Sequence, residues 1–285
     1  MKRPRLTWRR LPWWAEVVTI AAGYAGYEVL RALSPTRVDT AAAHAHSVLT
    51  VERWVHMDGE LAADHWLNAR HVLSLAGGYY YGTMHFLVTP IVLGLMWWRR
   101  PEQYPWLRSA LVLTSLVCLV VFWAWPVAPP RFAQPGSIDT LVTRHLFGTA
   151  NPHGVSGLIN EYAAMPSLHV GWALWCAAAV VVTARSRWRH LAWLYPLATT
   201  ADVISTGNHF VLDCVAGALL VTVMLWLTGP IDGQSVGSPT VSTSPARVGG
   251  FNRSTQHRVV SVVRTVAGRV LRLGCARRVV CVAGG

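Results

Sequence analysis

Apolar residues in this chain come in long blocks separated by short charged stretches. Six runs, near Trp13 to Leu33, Leu75 to Trp98, Ser109 to Val127, Pro166 to Ala184, Leu191 to Thr206 and Phe210 to Thr228, are almost continuously hydrophobic. A run of about 17 to 25 such residues is the length of a helix that crosses a bilayer. The pattern predicts an all-α fold, a polytopic membrane bundle of about six transmembrane helices spanning residues 13–228. The fifth run is the shortest, and Pro196 and Asp202 interrupt it. Residues 38–70 mix apolar and charged positions around Trp54 and Trp66, as helices at a membrane interface or over a site do. Residues 229–250, rich in Gly, Ser and Pro, read as a flexible linker. Residues 251–285 alternate Val clusters with Arg, as a tail lying on an anionic leaflet would, with disorder as the alternative reading.

Composition sharpens this picture. The 285 residues are 53% hydrophobic and only 13% charged, about half the charge of a soluble domain. The formal charge of +12 invites a nucleic-acid reading until it is sorted by position. Lys2, Arg3, Arg5, Arg9 and Arg10 precede the first run; Arg99, Arg100 and Arg108 separate the second from the third; Arg185, Arg187 and Arg189 separate the fourth from the fifth; the tail adds Arg from Arg247 to Arg278. With six spans all of these share one side, which the positive-inside tendency makes cytoplasmic. That arrangement implies a multi-pass protein of the cell membrane with both termini cytoplasmic, including a basic segment at residues 1–12, and no nucleic-acid partner. The opposite side holds Asp39, Glu52, Asp58, Glu60, Asp64, Asp139 and Glu161 against Arg37, Arg53, Arg70, Arg131 and Arg144. Cys118, Cys176 and Cys214 lie in apolar runs, and Cys275 and Cys281 in the tail, with no disulfide or metal spacing. His44 and His46 form a His-x-His pair without a third ligand in register. No metal and no cofactor is expected.

The chemistry concentrates at the extracytoplasmic ends of the fourth and sixth runs. In "GNHFVLD", His209 and Asp213 are four apart, one helical turn, so the carboxylate is placed to hold the imidazole in one tautomer. In "MPSLH", Pro166 suits a first helical position, Ser167 sits where free N–H groups and the helix dipole attract an anion, and His169 is placed to move a proton. In "WPVAPPRF", Arg131 follows a rigid Pro-Pro pair on the same side, and its guanidinium is shaped to grip phosphate oxygens. An ionisable residue at membrane depth is by default a functional candidate, and here several converge.

"PSLH" followed by "HFVLD" resembles the type 2 phosphatidic acid phosphatase superfamily, whose motifs are Lys-x6-Arg-Pro, Pro-Ser-x-His and Ser-Arg-x5-His-x3-Asp. "APPRF", "MPSLHVGW" and "TGNHFVLDCVAG" look like its inositolphosphotransferase-like branch, and the resemblance covers about residues 75–228. It implies a six-helix bundle and a metal-independent phosphohistidine mechanism. His209 would be the nucleophile, Asp213 its orienter, and His169 the acid for the leaving group and then the base for the acceptor. Arg131 and Ser167 would bind the phosphate. The chain departs from the motifs at Ala124 in place of Lys, Phe132 in place of Pro, and Asp202–Val203 in place of Ser-Arg. Asn208 and His85 are the candidates to compensate for the missing cations. The expected partner is a lipid-linked phosphate or pyrophosphate in the membrane; the alternatives are transfer of a head-group phosphate such as inositol phosphate, and a non-catalytic lipid-binding or transport protein.

Overall fold

A computed structural model describes residues 11–33, 37–148 and 162–229. The chain divides into two units, Met1–Thr228 and Gly229–Gly285. Apart from their edges, the basic N-terminal segment, the linker and the basic tail expected from the sequence lie outside the described residues.

The described residues form ten α-helices and no named strand: α1 (Trp13–Leu33), α2 (Val38–Trp54), α3 (Glu60–Asn68), α4 (His71–Arg99), α5 (Tyr104–Ala124), α6 (Pro130–Ala133), α7 (Thr140–Thr143), α8 (Leu168–Thr183), α9 (Leu194–Ser205) and α10 (Val211–Thr228). Each of the six apolar runs is a helix. The fifth is the one that departs from expectation: residues 187–193 wind as a 3₁₀ segment, and only twelve residues follow as α9. Pro196 then falls in the first turn of α9, where its missing N–H removes no helical hydrogen bond. Helices α5 and α10 are long and apolar enough to cross a membrane, and α8 is apolar but shorter, at 16 residues.

The interior lies between α4, α5, α8 and α10. Trp175 of α8 is fully buried there among Leu107, Ala110, Ala179 and Val221, and its indole N–H donates to the Leu107 carbonyl at 2.8 Å. At the site end, small residues let backbones meet. A Cβ on Gly217 of α10 would lie 2.2 Å from the Ser167 carbonyl oxygen, so only glycine permits the contact. Helix α2 covers the connections of the site from outside, burying Ala41, Ala45 and Val48 against Val127, Ala128, Ala164 and Phe210.

Candidate active site

Three connections build the site. After α5, Val127 pairs with the segment before α8: its N–H donates to the Tyr162 carbonyl at 3.0 Å, and its carbonyl accepts from Ala164 at 3.2 Å. After α9, the N–H of Gly207 returns to Ile204 at 3.1 Å and that of Asn208 to Val203 at 3.1 Å. That double bond with a left-handed residue, φ +70° at Gly207, is the usual way a helix ends in glycine. A side chain at Gly207 would also press on the Ile138 carbonyl at 3.2 Å. The turn leaves the Gly207 carbonyl to accept from the Arg131 N–H at 3.1 Å, which sets Arg131 beside Asn208. The Arg131 guanidinium donates to Asn208 Oδ1, and its Nε lies 3.2 Å from Asp139 Oδ2.

Ser167 is the N-cap of α8; its buried Oγ accepts from the Val170 N–H at 3.4 Å. Its own N–H donates to the Asp213 carbonyl at 2.9 Å. His169 is therefore the second residue of α8, with His209 facing it: Nε2 of His209 lies 3.4 Å from Nδ1 of His169. The other ring nitrogen, His209 Nδ1, lies 2.8 Å from the Ala164 carbonyl oxygen. A carbonyl only accepts, so that nitrogen carries the proton, and in the neutral ring the lone pair belongs to Nε2, toward His169. Helix α4 closes the other side. Tyr81 stacks on His169 with centroids 4.5 Å apart, and His85 meets it edge-on at 4.4 Å. A small pocket, with room for little more than a water molecule, lies behind these rings, with Asp202 in its wall.

Three carboxyl groups meet the first turn of α10. Asp213 Oδ2 accepts from the Phe210 N–H at 2.8 Å, Glu60 Oε1 from Val211 at 3.1 Å, and Glu52 Oε1 from Leu212 at 2.7 Å. All three acids are at most 1% exposed. Burial pushes the Glu52 carboxyl up to about 8 against the pull of the Leu212 N–H, and the adjoining Glu60 and Asp213 groups push the same way.

Some sequence expectations need correction. Helix α10 starts at Val211, so His209 stands in the turn before it, and the i, i+4 helical geometry assumed for His209 and Asp213 does not apply. Asp213 Oδ2 is 3.6 Å from His209 Nδ1, within ion-pair reach, while the Ala164 carbonyl is the nearer partner of that nitrogen at 2.8 Å; Asp213 also caps α10. Pro166 precedes the cap rather than occupying the first helical position, because Ser167 takes the cap. Asn208 spends its donor on Thr206 Oγ1 at 2.8 Å and its acceptor on Arg131, so it aims the guanidinium. Residues 38–70 form two helices, and Glu52, Glu60 and Asp64 point inward from them, buried. Sequence reading missed Tyr81, Gly217, Asp139 and these buried acids. Phe210 was the available signal: a helix N-terminus with no polar side chain at its cap must be capped from elsewhere.

A family model described as the PAP2 superfamily matches residues 46–227, more than half of the chain. No curated protein and no solved structure matches it.

Proposed function

The chain belongs to the PAP2 superfamily, a phosphatase-type enzyme family, and from that membership we propose a membrane-embedded lipid phosphatase or phosphotransferase that works through a phosphohistidine. The observation that carries the proposal is the pair of facing imidazoles, with His209 Nδ1 bound to the Ala164 carbonyl and Nε2 turned toward His169. Nε2 of His209 attacks the phosphorus and the bond to the leaving oxygen breaks. His169 gives that oxygen a proton, then takes one from the incoming water or alcohol, whose oxygen displaces His209 as the P–N bond breaks.

Phosphate charge is met at the start of α8. The N–H groups of Leu168 and His169 belong to a first helical turn, have no intrahelical acceptor, and are given no other acceptor among the described residues. The Ser167 hydroxyl proton and the guanidinium N–H groups of Arg131 not directed at Asn208 or Asp139 add donors. Phosphoryl transfer asks for positioning and charge stabilisation more than covalent chemistry, and this set supplies both.

The membrane reading rests on the outer surfaces of the helices. The most apolar windows of α5 and α10 are only 39% and 28% buried, unlike helices enclosed in a soluble core. Phe86, Leu87, Ile91 and Leu95 of α4, Leu116 and Val120 of α5, and Leu219 and Val223 of α10 are exposed. Such a surface fits hydrocarbon better than water. With the six apolar helices as spans and the basic segments inside, the histidines lie at the extracytoplasmic face, where a lipid-linked phosphate or pyrophosphate is presented.

One observation favours transfer of a head-group phosphate, as in the inositolphosphotransferase-like branch. Asp139 already draws on Arg131, while Ala124, Asp202 and Val203 stand where the family motifs place Lys, Ser and Arg. A site with so little positive charge suits a phosphodiester better than a doubly charged monoester. The test is incubation of purified protein, without divalent metal, with phosphatidic acid, a lipid pyrophosphate, and a phospholipid donor plus a polyol. Acid-labile phosphate on the wild type and none on His209→Ala is the expected result. Released phosphate marks hydrolysis and a new phosphodiester marks transfer; turnover that survives the substitution overturns the reading.

A further inference from the structure

Two buried acids have no place in the mechanism above. Glu52 of α2 and Glu60 of α3 each accept a backbone N–H from the first turn of α10, across 160 and 151 residues of chain. Their remaining oxygens are buried, and the two carboxyls meet one another, the protonated Glu52 carboxyl being placed to share its proton with Glu60. Burying acids is a costly way to cap a helix, since a serine at position 210 would satisfy the same end locally. Phe210 stands there instead, fully buried against α2.

What two remote acids provide that a local cap does not is a link. Helix α2 is fastened to the connection bearing Arg131: the Ala41 carbonyl accepts from the Ala128 N–H at 3.1 Å, and His44 Nδ1 lies 2.8 Å from the Pro126 carbonyl. Helix α3 is fastened to the same connection further on, where Asp64 accepts from the Ile138 N–H at 2.6 Å and the Ser137 hydroxyl at 3.0 Å. Ile138 adjoins Asp139, the partner of Arg131. Both helices thus hold the arginine connection with one set of bonds and the start of α10 with another.

We propose that Glu52 and Glu60 are positioning residues of the phosphoryl-transfer site, binding the start of α10 to the frame that carries Arg131 and so fixing His209 at its working distance from Arg131 and His169. The inference rests on the reading of His209 as nucleophile. Glu52 and Glu60 touch no reacting atom; they act through the two residues that follow Phe210.

The full-length protein in detergent tests this with four variants, assayed for the single-turnover rate at which acid-labile phosphate appears on the enzyme, for kcat and KM on phosphatidic acid, and for melting. Glu60→Ala removes one acceptor. Val211→Pro removes the matching donor while leaving the acid, at a first helical position that tolerates proline. Both are expected to lower kcat and the labelling rate at least tenfold with KM within threefold and the protein folded. Glu52→Gln keeps an oxygen for the Leu212 N–H and offers its amide protons to Glu60, so it is expected to stay within threefold of wild type. Folded Glu60→Ala and Val211→Pro proteins with wild-type labelling overturn the proposal. So does a loss that only follows the fraction unfolded, which assigns the acids to stability alone. His209→Ala separates the two readings: if it abolishes labelling while Glu60→Ala and Val211→Pro label at the wild-type rate, the positioning role fails and the nucleophile stands; if it labels normally, both fall.

Discussion

The two helices that carry the site begin in opposite ways. Helix α8 is capped by a serine through one long hydrogen bond, and the N–H groups of Leu168 and His169 have no intrahelical acceptor. Helix α10 is preceded by a phenylalanine, and the N–H groups of Phe210, Val211 and Leu212 are taken by Asp213, Glu60 and Glu52. Helix N-termini attract anions, so two such ends side by side would compete for a phosphate. Filling one with the protein's own carboxyls leaves the other open to the phosphate of the proposed mechanism, beside His169 and across from His209.

The largest test of that division is His209→Ala. It is expected to lower turnover on the order of 10⁴-fold with melting unchanged, as measured by phosphate release or product formation. His169→Ala follows, with a loss of about 10² to 10⁴-fold on a lipid phosphate and a much smaller one on a nitrophenyl ester, whose leaving oxygen needs no proton. Gly217→Ala acts on the joint between the two helix starts. Its methyl group would meet the Ser167 carbonyl, which is backbone and has little room to yield. A stability loss of about 1–3 kcal/mol, read by denaturation, is expected, with kcat falling further than the unfolded fraction explains. Ser167→Ala removes a cap worth about 1 kcal/mol and one phosphate donor, so KM should rise more than kcat falls.

The smallest effect concerns the filled end alone. Unfolded, Glu52 titrates near 4.5; in the fold it holds its proton to about 8. The folded state binds more protons between those values, so stability is greatest below about 4.5 and is lost as pH rises toward 8. Melting temperature should fall by several degrees over that window as Glu52 ionises against Glu60 and Asp213, and Glu52→Gln should flatten the slope. An unchanged slope would remove Glu52 as its source.

The sequence made the helices legible because apolar blocks of that length have few other ways to satisfy their backbone. α1 begins and ends at the residues the run itself suggested, and α9 is shorter because its first residues wind as a 3₁₀ segment. The candidate residues stood out in the sequence as types and positions, and the structure sets Arg131 beside Asn208 and His169 facing His209. Their connections were not legible. The spacing of His209 and Asp213 suggested a helical pair, yet the helix starts two residues after the histidine, and a backbone carbonyl stands nearer to Nδ1 than the carboxylate does. Glu52 and Glu60 counted as outward charges because nothing near them in sequence names the N–H groups they meet.

The long reach of those two acids also bears on how the protein is made. The acids are synthesised early and their donors late, separated by 160 and 151 residues. A ribosome that has released α2 and α3 but not yet α10 holds two apolar-flanked acids whose acceptor oxygens still lack those donors. Docking of the last helix supplies them, closing the longest loops in the site. Co-expression of residues 1–205 with residues 206–285 should therefore restore the site from two pieces, neither of which transfers phosphate by itself.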